Sequence, residues 1–292
     1  MLLGFAVFAV SAVLARQGRE PFHTWFYVLA WWSYILIVDG WVYRHRGESL
    51  ILGHPRRFLF LAVWSIPFWL FHELLNFRLD NWRYLSLPAE ASFRWLGYAL
   101  GFATVVPAIL ETADLADSAG LLKTVSIQPL PAGRRWVFIS LGTAMIALPL
   151  LWPRLFFPLV WGAPLFVFDA LNEKAGRESL LADWRLGQIR RLALLVIAGL
   201  MCGVLWEFWN TLAGAHWEYT LPGLDRVKIF EMPALGYLGF LPFAAGVYAA
   251  SVWAVGVWER ARTVSRAVLG LLAAVFSSAV LAGIDRFTRF QP

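Results

Sequence analysis

The chain has 292 residues, of which 60% are hydrophobic and only 15% charged, with 17 Trp and a formal net charge of +6. A water-soluble domain of this length needs far more charge to cover its surface, so composition excludes that class and indicates an all-α, polytopic membrane protein. The positive balance belongs with cytoplasmic loops and anionic lipid, and gives no reason to expect nucleic acid.

Apolar stretches able to cross roughly 30 Å of hydrocarbon recur along the whole chain and predict nine spans. The first, about residues 2–15, lacks the basic n-region of a signal peptide and is read as a helix. The second, about 22–43, carries Asp39 near its end, and the third, about 57–77, carries Glu73 and Asn76. A loop over 77–95 with Trp82 and Tyr84 leads to the fourth span, about 93–112. Spans at about 136–152, 154–172 and 190–212 follow, with Asp169 in the sixth and Trp206, Glu207 and Asn210 in the seventh. A loop over 213–233 then holds His216, Trp217 and Tyr219, and spans at about 233–257 and 265–284 end the series.

The two halves repeat one pattern. Asp39, Glu48-Ser49-Leu50, Glu73, Asn76, Trp82-Arg83-Tyr84, Leu87-Pro88 and Leu96-Gly97-Tyr98 recur in the same order. Their counterparts are Asp169, Glu178-Ser179-Leu180, Glu207, Asn210, Trp217-Glu218-Tyr219, Leu221-Pro222 and Leu235-Gly236-Tyr237. Such ordered self-similarity predicts two tandem four-helix repeats, 1–132 and 133–260, plus an extra C-terminal helix in 261–292. Four helices is an even number, so the repeats share an orientation and an axis along the membrane normal relates them. The loops after even-numbered spans carry 15 of the 25 Lys and Arg, Arg134 among them. Positive-inside then puts the N-terminus in the cytoplasm and the C-terminus outside, with the bacterial inner membrane as the expected location.

Three residues apart, Glu73 and Asn76 share a helical face, as do Glu207 and Asn210. A carboxyl group in low dielectric can donate or accept a proton, and Trp and Tyr rings can face an apolar polyene or a transient cation. Structural readings stand beside these: an acid locking the bundle through hydrogen bonds, and aromatic rings anchored at the interface. Asp39 and Asp169 are expected in ion pairs with Arg44, Arg46, Lys174 or Arg177, and Glu48 and Glu178 as caps of short segments. Gly97, Gly101, Gly236 and Gly239 are read as close helix contacts. No metal or other cofactor is expected. His72-Glu73 is not a His-Glu-x-x-His pattern, His23, His72 and His216 are not equivalent in the repeats, and Cys202 is the only cysteine.

Asp, Glu-x-x-Asn, Trp-x-Tyr and Leu-Pro in two copies resemble the tandem-domain integral-membrane lycopene cyclases, whose Pro-x-Glu element Pro88-Ala89-Glu90 matches. Trp206-Glu207-Phe208 also resembles the Trp-Glu element of membrane-bound terpene cyclases. The second acid expected after Pro88 is replaced by Ala91, and Pro222-Gly223-Leu224 carries none. The resemblance implies an isoprenoid or carotenoid-like lipid and acid-initiated carbocation chemistry. Glu73, Glu207, Asn76 and Asn210 are then the candidate catalytic residues. Trp82, Tyr84, Trp206, Trp217, Tyr219 and His72 are the candidate substrate-binding residues. The alternatives are a non-catalytic subunit of a larger membrane complex, with protein partners as well as membrane lipid, or a transporter.

Overall fold

The computed structural model describes residues 1–131, 135–223 and 227–289. Arg134, Leu224 and the expected repeat boundary at 132/133 lie outside the described residues. The chain runs through α1 (Leu2–Arg16), α2 (Phe26–Arg46), α3 (Pro55–Leu79), β1 (Trp82–Leu85), α4 (Ala91–Phe102) and α5 (Val105–Ser118). There follow α6 (Arg135–Leu151), α7 (Pro153–Phe156), a 3-10 turn (Phe157–Trp161), α8 (Ala163–Lys174), α9 (Leu180–Arg185) and α10 (Arg190–Leu212). Then come β2 (His216–Tyr219), β3 (Lys228–Ile229), β4 (Met232–Pro233), a second 3-10 turn (Ala234–Gly239), α11 (Phe240–Arg260) and α12 (Thr263–Phe287).

Among the described residues six helical segments are long and apolar enough to cross a membrane, and the bent pair Pro153–Trp161 with Ala163–Lys174 makes a seventh candidate. Helices α1 and α6 are apolar but shorter, 15 and 17 residues, or about 22 and 25 Å at about 1.5 Å per residue. Large apolar side chains such as Leu59, Val63, Val137, Leu151, Val204, Leu271 and Val275 are exposed along the helices. Water would penalise that surface, whereas hydrocarbon does not, and the fold is that of a helical membrane protein.

Small residues set the helix spacing. At Gly199 of α10 an added Cβ would lie 2.4 Å from the Phe240 carbonyl oxygen and 2.8 Å from the Ala244 Cβ, so α10 and α11 touch at backbone distance. Proline sets a break. Pro107 has no N–H and its ring conflicts with the carbonyl four residues earlier, and the helix is interrupted between Phe102 and Val105. Ser65 of α3 repairs the gap, donating to the Phe102 carbonyl and accepting from Val106 N–H at 3.0 Å.

Asp39 and Asp169 are buried and bind backbone amides, not arginines. Asp39 accepts from Ile51 N–H at 2.6 Å, and Asp169 from Leu180 and Leu181 N–H at 2.8 and 2.7 Å and from the Ser179 hydroxyl at 2.9 Å. Arg46 instead pairs with Asp114 and Asp117. The expected ion pairs fail because a buried carboxylate gains more from amides fixed in the adjoining loop than from a guanidinium reaching in from water. Ser179, rather than Glu178, caps α9, accepting from Ala182 N–H at 3.1 Å. Glu178 turns to Arg191 and Tyr248, and Glu48 to His54.

Candidate functional site

Loops 77–95 and 213–233 each contribute a strand to one two-stranded sheet. Trp82-Arg83-Tyr84-Leu85 pairs antiparallel with His216-Trp217-Glu218-Tyr219, in the register Trp82 to Tyr219, Arg83 to Glu218 and Tyr84 to Trp217. Alternation puts Trp82 and Tyr84 inward and Arg83 outward, and Trp217 is buried opposite Tyr84.

The asparagines hold these strands. Asn76 donates from Nδ2 to the Trp82 carbonyl at 2.9 Å and accepts from Asn81 N–H at 2.7 Å. Asn210 donates to the Trp217 carbonyl at 2.8 Å and accepts from Trp217 N–H at 2.9 Å. Both amides are therefore consumed by backbone, which makes them positioning residues. Their sequence signal, Glu-x-x-Asn, is met by placing the amide one turn beyond the acid, where the strand returns.

Glu73 and Glu207 are fully buried. Glu73 Oε1 accepts from Trp69 Nε1 at 2.8 Å, Trp82 Nε1 at 3.2 Å and the Tyr84 hydroxyl, and its Oε2 accepts from Trp82 Nε1 at 3.3 Å. Glu207 Oε1 accepts from the Tyr219 hydroxyl at 2.7 Å, while its Oε2 has no partner among the described residues. Burial, followed by the neighbouring Glu73 carboxylate, holds the Tyr84 phenol well above its ordinary pKa. Burial followed by Glu207 does the same for Tyr219. Both hydroxyls thus stay protonated and available as donors.

An apolar cavity of about 480 Å³ lies against this framework. Trp69, Trp82, Tyr84, Trp206, Trp217 and Tyr219 form its aromatic wall, so four of the groups that donate to the two acids also face the cavity. Glu73, Glu207, Asn76, Asn210 and His72 stand behind that wall and do not line it. The ring centroids of Trp69 and Trp206 are 5.0 Å apart, which joins the Glu73 side to the Glu207 side. His72 stacks on Trp161 with centroids 5.4 Å apart, and its Nε2 has no partner among the described residues. No group of three or more His, Cys, Asp or Glu side chains is placed to hold a metal ion among the described residues.

Several wall residues escaped sequence reasoning. Trp161 packs on Trp82 at 5.9 Å and on His72, and it lies 130 residues after Trp31, the interval that separates Asp39 from Asp169. That interval was the signal. Gly97, Gly101, Gly236 and Gly239 all line the cavity. At Gly101 an added Cβ would meet Val28 and Tyr27 of α2 at 3.9 and 4.0 Å, an ordinary contact, whereas at Gly97 and Gly239 it would press on the Trp25 and Trp161 rings at 3.3 and 3.1 Å. Arg94 also faces the chamber, but its guanidinium is spent on Asp285 at 2.9 and 2.7 Å and on the Pro88 and Ala89 carbonyls. Glu111, equally buried, lies against the Asp39 carboxyl, and no repeat element pointed to it.

No family model, no curated protein and no solved structure matches the chain.

Proposed function

We propose that this chain is an intramembrane protein that binds an isoprenoid or carotenoid-like lipid in the aromatic cavity and rearranges it by acid-initiated carbocation chemistry. One observation carries the reading: the rings that wall an apolar cavity are themselves the hydrogen-bond donors of two buried carboxyl groups. When Glu207 holds a proton, its bond to Tyr219 reverses and the hydroxyl turns its hydrogen toward the cavity. Protonating an alkene carbon there leaves a cation whose charge meets the faces of Trp206 and Trp217. Ring closure and loss of a proton through Tyr84 to Glu73 complete an isomerisation that needs no oxidant or reductant; its net effect on the protein is one proton moved from Glu207 to Glu73, which exchange with water between turnovers reverses.

The same proposal includes nine spans, with α1 and α6 crossing, and two four-helix repeats about an axis through the strand pair. In its favour, β1 and β2 exchange equivalents in their register, Trp82 with Tyr219 and Tyr84 with Trp217, about the central pair Arg83 and Glu218. Contacts across the halves also come in matched pairs. Trp31 packs on Trp206 at 6.0 Å, and Trp161 packs at 5.4 Å on His72, the counterpart of Trp206. The arginine-rich ends then face the cytoplasm of a bacterial inner membrane, and the chamber opens near the outer leaflet. A non-catalytic subunit of a larger membrane complex is the second reading, favoured by the exposed Trp41, Trp136 and Trp152.

Purified protein given an acyclic polyene isoprenoid is expected to show quenched tryptophan fluorescence and a cyclised isomer of unchanged mass. Glu207→Gln should bind the lipid but form at least about a hundredfold less product. Unchanged product from that variant would remove the acid from the mechanism, and absence of quenching in the wild type would remove the ligand.

A further inference from the structure

At the opposite end of the bundle an open groove of about 560 Å³ lies between the last turn of α11 and the first turns of α12. Val257, Val264, Val268 and Leu269 give it an apolar wall, and Arg177, Arg260 and Ser265 supply its polar groups. No acidic side chain lines it among the described residues. Neither guanidinium has a hydrogen-bond or ionic partner among the described residues, and Arg177 Nε is buried without one. The neighbouring cations are engaged: Arg266 with the Trp258 and Glu259 carbonyls, and Arg191 with Glu178 and Asp183.

Arg177 is seated, not swinging free. A Cβ on Gly256 would lie 2.3 Å from its Nε and 2.7 Å from its Cζ, so the guanidinium packs directly on the bare backbone of Gly256 and a larger residue there would push it aside. Burial, and then the like charge of Arg260, depress the Arg177 pKa, as expected for two cations facing one another without a counter-ion. A pair of like charges held against an apolar wall at a bilayer surface matches one kind of ligand, with anionic oxygens at one end and hydrocarbon at the other. We propose that this groove binds the phosphate headgroup of an anionic phospholipid, with an acyl chain lying along α12.

Native mass spectrometry of the full chain in detergent, with phosphatidylglycerol or phosphatidylcholine added, tests this directly. Phosphatidylglycerol should bind roughly tenfold to thirtyfold more tightly, the scale expected of two arginines at a lipid surface. Arg177→Gln with Arg260→Gln should abolish the preference, and Arg177→Lys with Arg260→Lys should keep most of it. Gly256→Ala, which displaces Arg177 without removing charge, should weaken phosphatidylglycerol severalfold and serves if the glutamine pair does not fold. Equal affinity for the two lipids, a preference that survives Gly256→Ala and the glutamine pair, or displacement by equimolar inorganic phosphate would each overturn the assignment.

Discussion

Glu73 and Glu207 occupy matching sequence positions but differ in what surrounds them. Trp69, Trp82 and Tyr84 converge on Glu73, whereas among the described residues only Tyr219 donates to Glu207. Replacing Glu73 by Gln sets an amide N–H₂ against the Trp82 indole N–H and leaves a buried donor unpaired, at a cost of about 1–3 kcal/mol. Glu207→Gln places its amide where Oε2 already lacked a donor. Glu73→Gln should therefore lower the Tm in detergent clearly more than Glu207→Gln; equal shifts would contradict the hydrogen-bond assignment. The sequence marks which residues recur here but not what each one binds. Glu-x-x-Asn spacing marks one helical face, yet only the folded chain reveals that each amide side chain clasps the backbone of Trp82 or Trp217. The partners of Asp39 and Asp169 were misjudged for a related reason. Arginines close in sequence are visible in it, while amides 12 residues on become available only when the loop folds back.

Among the elements, apolar helices were legible because a long apolar run has few alternatives in a membrane protein, but the break between Phe102 and Val105 and the 3-10 turn before Phe240 were not. Strands β1 and β2 were not legible either. Each is four residues long, and their partners lie more than a hundred positions apart, so no local pattern specifies the pairing. A crosslink tests it. Arg83→Cys with Glu218→Cys should form a disulfide on mild oxidation, visible by mass spectrometry of the digest, because these residues stand directly opposite in the register. Absence of that bond under conditions that oxidise an exposed control pair would refute the sheet. The approach of α10 to α11 is tested by Gly199→Ala. Its Cβ would meet backbone at 2.4 Å, so overpacking of about 1–3 kcal/mol should lower the Tm. Gly270→Ala, with nothing within 4 Å, should not; similar behaviour of the two variants would contradict the packing.

Across the whole molecule the two ends have separate chemistry. One gathers arginines and the amide-bound aspartates, and the other gathers aromatic rings around buried acids. The C-terminal helix ties into the second end, where Thr288 offers its carbonyl to Tyr84 N–H at 2.8 Å and Asp285 holds Arg94. Helix α12 thus braces the strand that carries Tyr84. Lipid extraction and mass spectrometry of purified wild type and Gly101→Leu, whose side chain fills the cavity, bear most directly on the claim that an apolar lipid occupies it. The wild type should carry an isoprenoid enriched well above its share of the membrane extract, and Gly101→Leu severalfold less. Isoprenoid at bulk membrane proportion in the wild type, or equal amounts in the two proteins, would contradict it.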